Sequence, residues 1–413
     1  MNKVEKFIVE TWKDTVIEQR EDEDTLLGLP YPFTCPTVNS TFREMYYWDT
    51  YFTNKGLILS GQAAQAKNNV DDMFYLVNKY GFMPNGNRTY YLANSQEPFL
   101  SHMVMDIYKY YKDPVWLRNA YAMLKKEYNF WQTQRMTESG LNRYYGIPVA
   151  ESEFERLYKL VEHRLKDVSI VYGDKADDVR FVAHCACAEG ESGWDCTPRM
   201  MGRKILCNAV DCNANLYEYE KNFAFICREL GLDDEVDEWE AKAETRAEKM
   251  RELMWNGECF NDYDYDRKEK ATLASTAVFY PLASKLCSKA EAESIVKNVL
   301  PKIECEFGMA TCEKNDTGIE FQWDYPNGWP CQQYQVVRGL YNYGYEQDAK
   351  RIAKKYVDLV ERIFDETGYL WEKYNVEEGS VKVKNEYDMP AMMGWSAGTY
   401  MAFKKYLDSG ILD

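Results

Sequence analysis

QAAQAKNNVDDMFYLVNKY, Gln62–Tyr80, places Ala64, Val70, Met73, Phe74 and Val77 at spacings of mostly three and four residues. That spacing is one buried face of an α-helix. Outward from this stretch the same period predicts helices over Leu100–Tyr111, Pro114–Arg135, Ser152–Leu165, Leu206–Leu230, Asp234–Trp255, Ala271–Cys287, Lys289–Val299, Gln332–Tyr343, Glu346–Phe364 and Met392–Leu407. One more is expected over Val4–Arg20, making roughly twelve in all. Breaks fall on helix-ending residues, Gly231 after Leu230 and Gly344 after Tyr343, and strand-like alternation is scarce. Helices that recur in pairs, with tryptophan-rich blocks in the loops between them, predict an all-α fold of helical hairpins closed into a toroid. No Ser/Gly/Pro-rich linker divides the chain. Residues 1–413 therefore read as one domain, with 1–30 a helical extension packed on it, and no short repeat period is shared by the pairs.

Composition bounds the function. The 413 residues are 46% hydrophobic, enough for a large core, and 15% aromatic, with 33 Tyr and 11 Trp. Such an aromatic load suits a carbohydrate cleft and equally suits a helical core rimmed with tyrosine. The net charge of −17 disfavours nucleic acid and anionic membrane surfaces, which reward basic patches; a small neutral partner is expected. No run approaches about 18 apolar residues, so no membrane span is expected. The N-terminal MNKVEKFIVETWKD lacks the apolar core of a signal peptide. Twelve cysteines then read as reduced, buried thiols, and the cytoplasm is the expected compartment. His184, Cys185, Cys187 and Cys196 do not have paired-ligand spacing, so no metal or other cofactor is expected. With only three histidines, carboxylates must carry any acid–base chemistry.

QWDYPNGWP, Gln322–Pro330, is a shaped loop punctuated by Pro326 and Gly328. Trp323 and Trp329 offer flat faces for a sugar ring, and Gln322, Asp324 and Asn327 offer hydrogen bonds to hydroxyls; two tryptophans tucked into the core is the other reading. In ESGWD, Glu191–Asp195, Ser192 and Gly193 make a turn, and Trp194 shields Asp195 from water, which would raise its carboxyl pKa toward acid duty. Asp195 as a helix cap ahead of Thr197 and Pro198 fits the same residues. Glu372, in LWEKYN between Trp371 and Tyr374, reads locally either as half of a surface pair with Lys373 or as a catalytic carboxylate.

Those blocks, with FREMYYWDTYF (Phe42–Phe52), MPNGNRTYY (Met83–Tyr91), SQEP (Ser95–Pro98) and EKYNV (Glu372–Val376), closely resemble the ordered signatures of the trehalase family of glycoside hydrolases, from about Phe42 to Trp395. The resemblance implies an (α/α)6 barrel with its active site at one end, and an inverting α-glycosidase. It assigns Asp195 as general acid and Glu372 as general base, separated by the roughly 6.5–9.5 Å that an attacking water requires. It also implies sugar-binding roles for Phe42, Tyr46, Trp48, Asp49, Asn85, Gln96, Glu151, Arg199, Trp323 and Glu386, with Phe42 and Tyr46 the two closest to pure core.

The departures concern specificity. Family arginines are replaced by Thr41, Asn94 and Val149, Asn375 stands for an aspartate, and EEGSVKVKNEYDMP replaces a glycine-rich loop. Losing a planar guanidinium is not conservative, although Arg43, Arg88 or Arg143 lies near enough in sequence to substitute. The expected substrate is a small α-glucoside, trehalose or a related compound. A glucosyl or mannosyl compound such as glucosylglycerate, and a non-catalytic sugar-binding role, are the alternatives; the presence of both carboxylates weighs against the latter.

Overall fold

In the computed structural model, which describes residues 1–38, 41–148, 150–385 and 387–412, helix dominates. The chain opens with α1 (Lys3–Thr15), α2 (Tyr47–Leu59), α3 (Ala63–Tyr80), α4 (Leu100–Tyr111) and α5 (Pro114–Gln134). There follow α6 (Glu151–Leu165), the single turn α7 (Ser169–Tyr172), α8 (Val179–Ser192), and the consecutive pair α9 (Val210–Leu230) and α10 (Asp233–Met254). The last part holds α11 (Tyr280–Ala283), α12 (Lys289–Asn298), α13 (Leu300–Ile303), α14 (Pro330–Asn342), α15 (Glu346–Thr367) and α16 (Gly394–Ser409). Strands among the described residues are two residues long.

Local chemistry sets many of these boundaries. Asn2 caps α1 through a capping box with Glu5. Asp113 accepts from the amides of Val115 and Trp116 ahead of Pro114, which sits where a missing N–H costs nothing. On α15 the buried residues Ala349, Ile352, Ala353, Tyr356, Val357, Val360 and Ile363 form one stripe. Truncating one of its large aliphatics to alanine would cost about 2–5 kcal/mol.

Packing closes the helices into a ring. α2 packs on α4, α4 on α9, α9 on α11, α11 on α14, α14 on α16, and α16 back on α2. Outside them, α3 backs α2, α5 backs α4, α10 backs α9 and α15 backs α14. This is the expected all-α toroid. α1 joins the outer side, Asn2 donating to Glu361 and Tyr400 at 2.7 Å and Trp12 to Ser60 at 3.0 Å. Where α2 crosses α16, a Cβ on Gly398 would lie 1.9 Å from the Phe52 carbonyl oxygen, and one on Gly56 2.7 Å from Trp12. Any larger residue would pry open the ring.

Several expectations need correction. Ala64 faces outward, and Ala63 and Ala66 occupy the buried face instead. The predicted helix over Ala271–Cys287 is reduced to a 3₁₀ turn at Thr276–Phe279 and the one turn of α11, because Pro281 lacks the donor that would continue a helix through it. The helix expected to reach Arg20 ends at Thr15 and gives way to the strand Val16–Ile17, paired with Phe33–Thr34. Four helices went unanticipated, α2, α8 and the single turns α7 and α13; α2 is buried on nearly every side and therefore shows no polar face for periodicity to reveal.

Candidate active site

The N-terminal ends of α2, α4, α14 and α16, with the loops preceding them, surround a cavity of about 420 Å³, within the ordinary range for a small-molecule site. Phe42, Tyr46, Trp48, Asp49, Asn85, Gln96, Asp195, Trp323 and Glu372 all line it. One cavity thus collects side chains from six separate sequence blocks.

Asp195 projects from a tight turn. Gly193, at φ +71°, packs so closely under Trp48 that a Cβ there would sit 2.6 Å from the indole. Lys204, fully inside the protein, donates to Ser192 Oγ at 2.9 Å and to the Trp194 carbonyl at 3.2 Å, while Glu189 accepts from the Cys196 amide at 3.3 Å. The turn carrying Asp195 is therefore braced on both sides. Trp194 is fully buried, donating to Glu97 at 3.1 Å and stacking on Trp323. Glu191 belongs to the scaffold: it takes both edges of Arg135, at 2.7 and 2.8 Å, and the amides of Ser95 and Tyr145.

Glu372 is buried, and so is Lys373, which overturns the surface-pair reading. Lys373 Nζ lies 2.6 Å from Glu372 Oε2, and the Tyr387 hydroxyl donates to Oε1 at 2.7 Å. Trp395 Nε1 donates to the Glu372 carbonyl at 3.0 Å. Both carboxylate oxygens are thus oriented while the group still faces the cavity. Behind it, the short strands Asn327–Gly328 and Tyr374–Asn375 pair and tie the tryptophan loop to the Glu372 loop. Asn375 accepts from the amides of Glu377 and Glu378, shaping the turn that follows.

Asp49, in the first turn of α2, is a buried carboxyl that borders the cavity. Its pKa is pushed up to about 8, first by loss of water and then by the negative charge of Glu372 and Asp195. Asp49 therefore holds a proton at neutral pH and can donate to a ligand hydroxyl.

Trp323 and Trp329 stack on each other at 3.7 Å and are almost wholly buried, yet both border the cavity. Asp324 and Asn327 do not reach it: Asp324 accepts from Asn315 at 2.7 Å, and Asn327 donates to the carbonyls of Gln322 and Lys384. Gln96 Oε1 accepts from the Trp48 amide and so caps α2, and Asn85 spends its amide on the Gly190 carbonyl. Phe42 and Tyr46, the two expected closest to core, are only half-buried and line the cavity, edge to face with each other.

Other expected residues lie elsewhere. Arg199 is buried between Asp211 and Asp262, which raise its pKa against the effect of burial; that network leaves it no part in the cavity. Glu151 stands at the exposed start of α6, paired with Arg180. Glu386 and Val149 fall outside the described residues. Arg43 donates to the Thr37 carbonyl, Arg88 to Glu44 and Thr25, and Arg143 to the Ile205 carbonyl and Tyr265, and none of the three lines the cavity. Asn94 does line it, its amide within 3.4 Å of the Cys187 carbonyl. Residues that sequence reasoning missed include Tyr387, in a loop without periodic signal, and a stripe of α6.

The sequence matches the family model described as Trehalase over residues 2–408. A periplasmic trehalase from Pseudomonas aeruginosa is 30% identical over 95% of this chain and 74% of its own length. The solved neutral trehalase of Saccharomyces cerevisiae superposes with a TM-score of 0.76 at 28% identity, covering 92% of this chain and 74% of that one. A mannosylglycerate hydrolase from Thermus thermophilus shares the fold, with a TM-score of 0.64 at 14% identity over 97% of this chain and 100% of that one. These relatives correct the cytoplasmic expectation, because the Pseudomonas protein and similar ones from Xanthomonas are named periplasmic. The thiols were a poor guide to compartment: all twelve cysteines except Cys305 are buried, and a buried thiol behaves as a small hydrophobe in any compartment.

Proposed function

Since this chain belongs to the trehalase family of glycoside hydrolases, we propose that it hydrolyses a small α-glucoside with inversion, Asp195 serving as general acid and Glu372 as general base. The observation carrying this reading is that both carboxyls line the same cavity while their surroundings differ in kind. Glu372 is clamped by Lys373 and Tyr387, an arrangement suited to orienting a base toward water. Asp195 stands on a braced turn that carries it into the cavity, suited to reaching a glycosidic oxygen.

In the reaction, the glucosyl ring lies among Phe42, Tyr46, Trp48 and Trp323, and protonated Asp49 donates to one of its hydroxyls. Gln96 and Asn85 act by holding α2 and the Gly190 backbone in place. Asp195 gives its proton to the leaving oxygen as the bond to C1 breaks. Glu372 takes a proton from water, whose oxygen bonds to C1 on the opposite face. The whole chain acts as one catalytic domain, with residues 1–30 packed on it.

Early proton NMR of an α-glucoside digest tests the mechanism, and β-glucose should appear first. Early α-glucose would mean a covalent intermediate and would rule out inversion. Trehalose is the first substrate to assay. Because Asn94 and Thr41 replace arginines, and Arg43, Arg88 and Arg143 are committed elsewhere, trehalose should be a poorer substrate than an α-glucoside with another leaving group.

A further inference from the structure

α6 turns one stripe toward the cavity. Glu153, Arg156, Leu157, Leu160 and Arg164 all line it, spaced so that they share one helical face. α6 packs on α8, and α8 ends at Ser192, directly before the turn that carries Asp195. The acid delivers its proton to the departing oxygen. On the role proposed for Asp195, the wall built from α6 and α8 therefore faces the leaving group, and Glu372 with Tyr387 faces the attacking water.

Charge is segregated between these walls. Arg156 and Arg164 are the only cations among the described residues lining the cavity, and both come from α6. Glu153 accepts from Nε and Nη2 of Arg156 at 2.8 and 2.6 Å, and Nη1 makes no hydrogen bond to a described residue. A glucosyl ring offers nothing anionic, whereas a guanidinium fork matches carboxylate and phosphate geometry. We propose that Arg156 and Arg164 form a leaving-group subsite that selects α-glucosides whose leaving group carries an anionic substituent, a carboxylate or a phosphate.

The test compares kcat/KM for trehalose, trehalose 6-phosphate and glucosylglycerate, in the native protein and in Arg156→Gln and Arg164→Gln, at low and high salt. At least one anionic substrate should exceed trehalose by about tenfold or more, and which one does so distinguishes phosphate from carboxylate. Each variant should lose about tenfold more on that substrate than on trehalose, and salt should shrink the preference. Equal losses on neutral and anionic substrates, or trehalose as the best substrate, would overturn the subsite while leaving the hydrolase reading intact. Calorimetry on Asp195→Asn gives a readout independent of turnover, comparing glucose 6-phosphate with glucose and D-glycerate with glycerol. Anion-selective binding that both Arg variants abolish supports the subsite even if no glucoside is hydrolysed, an outcome that would sink the proposed function instead. Equal binding of charged and neutral probes sinks the subsite.

Discussion

At one end of the toroid the inner helices begin, toward the other they finish, and a carboxyl in a cavity on each side is shifted in opposite directions. Asp49, on the first turn of α2, has lost water and feels the like charges of Glu372 and Asp195, which outweigh a backbone hydrogen bond, so its pKa rises to about 8. Glu218 lies midway along α9 in a second cavity of about 380 Å³ lined by Lys55, Lys109, Lys285 and Arg338. Burial alone would raise its pKa too, but Arg338 and the His102 imidazole, 3.0 Å away, outweigh that and hold it well below the usual carboxylate range. One end keeps like charges together where chemistry needs them. The other neutralises its acid and gathers cations where helix C-termini concentrate negative potential.

On that contrast, substitutions at the first end should remove rate and spare the fold, and those at the second should do the reverse. The largest effect is expected from Asp195→Asn and Glu372→Gln, each lowering kcat by about 10³-fold or more with the melting temperature nearly unchanged. Near-normal turnover in either variant would break the assignment.

Glu218→Gln should come next, costing about 3 kcal/mol of stability at neutral pH because Arg338, largely buried, would lose the carboxylate it pairs with here. Its kcat should stay within about twofold of native. The sign of the pH dependence follows from the depressed folded pKa. The contribution of Glu218 is present above its unfolded value of 4.5 and fades as pH falls below it. Denaturant melts at several pH values would show the native–variant gap closing in acid.

Asp49 should behave in the opposite sense. Its folded pKa of about 8 lies above the ordinary 3.8, so the folded state retains a proton that the unfolded chain releases, and the native protein loses stability as pH rises between those values. Asp49→Asn should therefore be nearly neutral near pH 4 and increasingly more stable than native as pH rises toward 8, while turnover falls. A stability difference independent of pH would contradict the shift.

The smallest expected effect is that of Lys109→Gln, in the last turn of α4. A few tenths of a kcal/mol, about 0.3–1 at low salt and less at high salt, should be lost, with no change in rate. Any effect on kcat would mean that the two ends communicate.

Much of this architecture was legible in local patterns. Gln62–Tyr80 reads as a helix because every third or fourth residue must be apolar to bury one face, and Gly231 ends α9 in the left-handed conformation glycine tolerates. The motif blocks bring Asp195 and Glu372 to a single cavity. Periodicity failed where burial is all-round, as in α2, and where Pro281 interrupts an apolar run. What only the tertiary structure decided is the environment of each charge. Lys373 is buried against Trp329 and Glu372 instead of solvated, Arg199 is locked between two aspartates, Asp49 has its pKa raised by burial and by carboxylates far along the chain, and an α6 stripe faces the cavity. Helix formation depends on neighbours a turn away in sequence. The energy of a charge depends on which dipoles, ions and water the fold brings within a few ångströms, and these come from segments that no local pattern connects.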